Sequence, residues 1–308
     1  MTNKIVAIQG NNPSKLNPVT DTSVFLAHEI QNKNYKIFYY DPKDLSIINS
    51  KVIAAGCFIQ FNYKNKKFFK ILKKQKLDLT KCKFILIRQD PPFNLEYISA
   101  TYILDTIKDK VQILNNPTSI RNVSEKLYSV KFQKYMPNTI FTQNIDEIKN
   151  FFKKHKKVIL KPIHSYSGND IHLLTSFNLK LIKKFIKQHD HIMCQKFIPK
   201  ISKGDKRVFL INGKVCGAIS RVPKKGSFLS NMSKGAKPIN IKLTKIENKI
   251  SKLIAKDLKK QNIFFAGIDF IDQKLNGDIN VTSPTGLKTL YDLSGINLAK
   301  TFWRELKA

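Results

Sequence analysis

The chain has no run approaching the ~18 consecutive apolar residues that a membrane-spanning helix needs, which excludes a transmembrane segment. Its first ten residues hold only a four-residue apolar core, Ile5 to Ile8, followed by Gly, Asn and Pro. That is too short for a signal peptide and reads as a first strand. Cysteine is scarce: Cys57, Cys82, Cys194 and Cys216 stand far apart, with no C-x-x-C pair. A disulfide frame and a zinc site are thereby excluded, and buried thiols in a reducing cytoplasm are expected. The six histidines show no metal spacing, and the chain has no G-x-x-x-x-G-K-[ST], no G-x-G-x-x-G and no serine elbow. P-loop, dinucleotide-binding and serine-hydrolase readings lack their main support.

Arginine is also rare. Arg88, Arg121, Arg207, Arg221 and Arg304 are the only five among 55 basic residues, so 50 lysines face 22 acidic residues and the net charge is +33. Base readout and bidentate phosphate binding favour arginine over lysine. The charge is therefore read as a lysine-rich bias over a solvated surface, and a nucleic-acid partner is not expected.

What the 308 residues do contain is 42% hydrophobic and 10% aromatic side chains, enough for two to three packed units. Short apolar runs at 5–8, 35–40, 84–88 and 111–114 alternate with helical periods at 21–32 and 95–108. That alternation predicts an α/β domain with a mostly parallel sheet, ending near residue 120 where Asn116-Pro117-Thr118-Ser119 opens a helix. Beyond it come a helix at 125–132, a strand at 158–160 running into Lys161-Pro162, a polar loop at 164–170 and a strand at 192–197. An Asn212-Gly213 turn marks a hairpin, 223–238 reads as a long polar loop, and 246–261 as a helix. Strands at 264–271 and 278–282 are expected to join through an Asn276-Gly277 turn, ahead of a helical C-terminus.

Asp269, Asp278 and Asn280 form the sharpest candidate site. Side chains two apart on a strand share a face, so Asp278 and Asn280 point the same way, and the hairpin brings Asp269 beside them. Two carboxylates and an amide, with no His or Cys nearby, suit Mg²⁺ rather than zinc. Lys161 ends an apolar strand before a small-residue loop, where its ammonium can meet phosphate, and Lys126 sits early in a helix. Arg207 and Arg221 carry information because arginine is rare here: a planar, bidentate donor is placed where lysine is otherwise used. Arg88 ends another strand of the α/β sheet, either at a ligand site or paired with Asp90.

Taken together, Arg88-Gln89-Asp90-Pro91-Pro92-Phe93, Asn115-Asn116-Pro117, the stretch 122–127, Ile159 to Pro162, Gly204 to Val208, Arg221-Val222-Pro223, Gly267-Ile268-Asp269 and Ile279 to Thr285 resemble bacterial-type glutathione synthetases of the ATP-grasp ligase family, nearly end to end. The resemblance implies an N-terminal parallel-sheet α/β domain (1–120), an ATP-grasp lid region (121–198) and a C-terminal metal-binding domain with a covering loop (199–308). It implies ATP-dependent joining of γ-glutamylcysteine and glycine, in a cytoplasmic homo-oligomer. Lys126, Lys161, Ser167 and Gly168 would then meet ATP phosphates, Gln195, Phe197 and Ile198 the adenine, and Asp205 the ribose or its surroundings. Asp269, Asp278 and Asn280 would hold two Mg²⁺ ions, with Mn²⁺ a substitute, and Arg207 and Arg221 would face the transferred phosphoryl group or the substrate carboxylate. The chain departs from the family where substrates are covered: Ser165-Tyr166-Ser167-Gly168 keeps one glycine, the covering loop's glycines and arginines are largely replaced by Lys225, Ser227, Phe228, Leu229 and Ser230, and Gly10-Asn11-Asn12-Pro13 replaces an Asp-Pro. A ligase for another acid and amine, and a basic binding protein or inactive relative on the same fold, are the competing expectations.

Overall fold

The computed structural model describes residues 4–166 and 168–308. Its first unit runs β1 (Ile5–Gln9), α1 (Thr22–Gln31), β2 (Lys36–Tyr40), β3 (Leu45–Ile48), β4 (Lys51–Phe61), β5 (Phe69–Asp78), β6 (Phe84–Ile87), α2 (Leu95–Asp105), β7 (Gln112–Leu114) and α3 (Pro117–Asn122). β2, β1, β6 and β7 are parallel neighbours. Their apolar runs are buried on both faces: Val6 and Ile8 pack toward α1, Ala7, Ile85 and Ile87 toward α2. The helices begin where polar side chains cap them, Asp21 accepting from Val24 N, Asn94 from Tyr97 N and Asn116 from Ser119 N.

Residues 45–78, which periodicity leaves unassigned, extend this sheet with antiparallel strands: β4 pairs with β2, β3 and β5. β5 escapes the strand pattern because its exposed positions are mostly lysines, which keep an edge strand in water and discourage further pairing.

A second unit follows: β8 (Thr139–Thr142), α4 (Ile145–His155), β9 (Val158–Pro162), β10 (His172–Leu174), α5 (Leu179–His189) and β11 (Ile192–Lys196), in the antiparallel order β10-β9-β11-β8. Alternation sorts its side chains. Val158, Leu160, Ile192 and Cys194 pack under α4 and α5, so Ile159, Lys161, Met193 and Gln195 face the other way.

The third unit is β12 (Asp205–Ile211), β13 (Lys214–Val222), β14 (Lys237–Asn240), α6 (Lys245–Lys260), β15 (Phe265–Ile271), β16 (Lys274–Asn280), α7 (Leu287–Ser294) and α8 (Leu298–Glu305), its sheet ordered β14-β13-β12-β15-β16. Val208, Leu210 and Ile268 pack toward α6, while Phe209, Ile211, Ile219 and Phe265 join a core shared with α1, α7 and α8. Trp303 Nε1 donates to Leu26 O at 2.9 Å, so the last helix closes the core of the first unit. Among the described residues no helix is long and apolar enough to cross a membrane.

Three local expectations are corrected. The β15–β16 turn is Asp272-Gln273, both left-handed (φ 48° and 62°), whereas Asn276-Gly277 lies inside β16, where Gly277 has φ +85° and the register slips between Ile268 and Phe270. A two-residue turn demands positive φ, which Asp tolerates, so the Asn-Gly signal marks an irregular strand here instead of its end. Residues 127–135 form tight 3₁₀ turns kinked at Phe132 rather than an α-helix. The Ser129 hydroxyl donates to the Lys126 carbonyl at 2.5 Å, competing for an oxygen that a helix would use. Finally, β14 and a 3₁₀ turn at Met232–Lys234 interrupt the 223–238 loop.

All four cysteines are free thiols, two of them buried. Burial pushes Cys82 and Cys194 up to about 12, with Asp78 adding to the effect at Cys82. Neither is expected to react with a thiolate-trapping reagent at pH 8 until the chain is unfolded; labelling of Cys194 in the native protein at the rate of a free thiol contradicts this packing.

Candidate functional site

The inner faces of the second and third sheets face each other across a cleft. Its floor is built by strand alternation. On the face where Phe209, Ile219 and Phe265 are core, the next residues outward are charged: Asp205 and Arg207 on β12, Arg221 on β13, Asp269 on β15. Asp205 lies directly across from Arg221, and Arg207 across from Asp269. Arg207 Nε and Nη2 donate to the two oxygens of Asp269 at 2.6 and 2.7 Å, and Arg221 Nη2 reaches the same carboxylate at 3.1 Å. Arg221 also grips Asp205 in bidentate fashion, with Nε to Oδ1 at 2.8 Å. All four side chains are buried. Burial alone would raise the Asp269 carboxyl, yet Arg207 and Arg221 hold it well below the usual carboxylate range.

Gly267 makes the arrangement possible. A Cβ there would stand 2.9 Å from Arg207 Cδ, so only glycine lets the guanidinium lie flat across β15. Gly267→Ala is expected to displace Arg207 and lower the denaturation free energy by about 1–3 kcal/mol; an unchanged urea midpoint contradicts this account.

The opposite wall brings two ammonium groups to the same end. Lys161, on the inward face of β9, donates to Asn276 O at 2.9 Å and Asn276 Oδ1 at 3.0 Å. Burial lowers its pKa from the ordinary lysine value, an effect that the nearby Asp278 only partly offsets. Lys126 donates to Ser165 O at 2.8 Å, which ties it to the loop after Lys161-Pro162. Glu125 anchors the same region to β16: its Oε1 accepts from Val281 N, Thr282 N and Thr282 Oγ1 at 2.8, 3.1 and 2.9 Å.

Gln195, Phe197 and Ile198 line the far end of the cleft, Gln195 with its Nε2 held by Thr139 Oγ1 at 3.0 Å. Gly168 lies where the two polar loops meet: at φ +70°, a Cβ would be 2.5 Å from Asn231 Oδ1. Ser167 lies outside the described residues. Asp205 lines the same cleft and is paired with Arg221. Arg88 is not among the residues lining this cleft. Its guanidinium donates to Ser23 Oγ and Pro284 O, both at 3.0 Å, and among the described residues it forms no ion pair with Asp90.

Asn276 and Glu125 were missed from sequence. An Asn-Gly pair signals a turn and not a cleft residue, and no spacing rule reports that Glu125 spans 156 positions to reach Val281.

The donor set suits a hard divalent cation. Asp278 and Asn280 share a face of β16, and Asn280 Nδ2 donates to Gly267 O at 3.1 Å, leaving Oδ1 as the atom available to a ligand. No His or Cys lines the cleft. Among the described residues no three His, Cys, Asp or Glu side chains form a closed metal cage. A cation held here must complete its shell with water or ligand oxygens, as Mg²⁺ does on phosphates.

Two family models cover the chain: the prokaryotic glutathione synthetase N-terminal domain matches residues 5–121, and the prokaryotic glutathione synthetase ATP-grasp domain residues 125–295. A glutathione synthetase of Bradyrhizobium diazoefficiens is 32% identical over 302 residues, covering 97% of this chain and 96% of that protein. The glutathione synthetase of Buchnera aphidicola subsp. Baizongia pistaciae is 36% identical over 293 residues, covering 93% and 90%. Among solved structures, D-alanyl-alanine synthetase A of Vibrio cholerae superposes with a TM-score of 0.61 at 15% identity, covering 96% of this chain and 95% of that one. At that identity the likeness concerns the fold alone.

Proposed function

The chain belongs to the prokaryotic glutathione synthetase family, and on that footing we propose that it is an ATP-dependent carbon–nitrogen ligase joining γ-glutamylcysteine to glycine. The observation that carries this reading is the convergence of Lys126, Lys161, Arg207, Arg221, Asp269, Asp278 and Asn280 on one cleft.

A carboxylate is a poor acylating agent at neutral pH because it has no good leaving group. Its oxygen first attacks the γ-phosphorus of ATP, the bond to the bridging oxygen breaks, and ADP leaves. The product is an acyl phosphate. The neutral amine of glycine then attacks the acyl carbon, the tetrahedral adduct collapses to the amide, and phosphate departs. Lys126 and Lys161 receive the phosphate oxygens, and Arg207 and Arg221 offset charge on the transferring group, catalysis by positioning and fixed charge. Asp205 serves by holding Arg221 in place. Gln195, Phe197 and Ile198 receive the adenine. The loops at 164–170 and 223–238, which meet at Gly168 and Asn231, keep water from the acyl phosphate. Asp269, Asp278 and Asn280 would hold magnesium, proposed as two ions with Mn²⁺ as a substitute, which supplies neutralisation of the triphosphate. A homo-oligomer in a reducing cytoplasm accompanies this reading, the latter supported by the free thiols.

The purified chain given ATP, Mg²⁺, γ-glutamylcysteine and glycine is expected to form ADP, phosphate and tripeptide in equal amounts. Phosphate release without tripeptide, or with tripeptide only from another acid and amine, contradicts the proposed substrates.

A further inference from the structure

The two lysines that await phosphate already share an anion. Asp278 Oδ1 lies 3.7 Å from Lys126 Nζ, and its Oδ2 lies 3.5 Å from Lys161 Nζ. Both lysine side chains are only 6% exposed, while the Asp278 side chain is 22% exposed and faces the cleft. Asn276 Nδ2 donates to Asp278 Oδ2 at 3.3 Å, fixing that oxygen on the Lys161 side. The other acidic groups lining the cleft are engaged elsewhere, Asp269 with Arg207 and Arg221, Asp205 with Arg221, and Glu125 with Val281 and Thr282.

This geometry acts oppositely on metal-free and metal-loaded nucleotide. A bare polyphosphate meets lysines that are partly neutralised, and it is repelled by the carboxylate between them. A polyphosphate carrying a divalent cation gives the Asp278 carboxylate a better partner. Once bound to the cation, the carboxylate ceases to neutralise Lys126 and Lys161, and both ammonium groups turn their full charge on the phosphates.

We infer that Asp278 is a specificity-determining residue that admits metal-loaded nucleotide and rejects metal-free nucleotide, by pairing with both phosphate-binding lysines until a divalent cation takes its carboxylate. The inference rests on reading the cleft as a nucleotide site and is independent of which acid and amine are joined.

The test is equilibrium binding of ADP to the full chain, with Mg²⁺ and with EDTA, by titration calorimetry. Wild type is expected to bind ADP well with Mg²⁺ and poorly with EDTA. Asp278→Asn, isosteric but uncharged, should bind ADP in EDTA about tenfold more tightly than wild type, the size of effect that freeing partly buried ion pairs supports. Mg²⁺ should then add little. Asp278→Ser should show the same gain. Metal-free affinity equal to or weaker than that of wild type, in folded variants, overturns the selection role alone. Wild type that binds ADP in neither buffer overturns the nucleotide reading with it.

Discussion

Asp269→Asn is expected to slow ADP release by about a hundred- to a thousandfold, because the carboxylate that fixes Arg207 and Arg221 at the transferring group is lost. It should also destabilise the fold by about 3–5 kcal/mol, the cost of leaving a buried charge without its partner. Asp269 accepts from Arg207 Nε and Nη2 at 2.6 and 2.7 Å, and Arg221 Nη2 lies 3.1 Å from it. Asparagine keeps the shape but removes the charge. Arg221 still has Asp205, so Arg207 is the guanidinium left buried and unpaired. Circular dichroism at 20 °C should show a folded protein, with the urea midpoint lowered. Turnover within tenfold of wild type would reduce Asp269 to a structural ion pair. The pH dependence has a definite sign. Because the folded carboxyl is held below its unfolded value, its stabilisation is fully present above the ordinary aspartate range. It is lost only as pH falls through the lower folded value.

Asn115→Leu should lower stability by about 4 kcal/mol without touching the cleft, since it strands several buried backbone groups at about 1–3 kcal/mol each. The buried Asn115 side chain links the first unit to the third. Its Oδ1 accepts from Phe264 N and Phe265 N at 2.9 and 2.8 Å, and its Nδ2 donates to Phe265 O and Val281 O, both at 2.7 Å. Leucine fills the space and satisfies none of them. The thermal midpoint should fall by several degrees. A midpoint within a degree of wild type would show that the two units are joined chiefly by apolar packing.

How far the chain was legible depended on whether the deciding interaction was local. The parallel strands β1, β2, β6 and β7 could be read because burial on both faces writes an unbroken apolar run, and helix starts because Asp21 and Asn116 cap within three residues. β5 could not, since an exposed edge places lysines where a half-buried strand would alternate. Rarity exposed Arg207 and Arg221, but not that they hold Asp269 and Asp205. That pairing is set by strand register, Arg207 lying across from Asp269 on β15 and Asp205 across from Arg221 on β13, the latter register slipping between Phe209 and Leu210. In the same way Asp278 was legible as an acid two residues from Asn280, whereas its lysine partners lie more than a hundred positions away in sequence. Asn276-Gly277 misled because the backbone freedom that suits a turn suits an irregular strand equally well.

The account stands or falls on transfer of the γ-phosphoryl group to a carboxylate within this cleft. The direct measurement uses γ-glutamylcysteine carrying ¹⁸O in its cysteinyl carboxylate, with ATP, Mg²⁺ and glycine, followed by mass spectrometry of the released phosphate. One ¹⁸O per phosphate is predicted, because the oxygen that attacks phosphorus leaves with it when the amide forms. Tripeptide accompanied by phosphate free of ¹⁸O would contradict the mechanism.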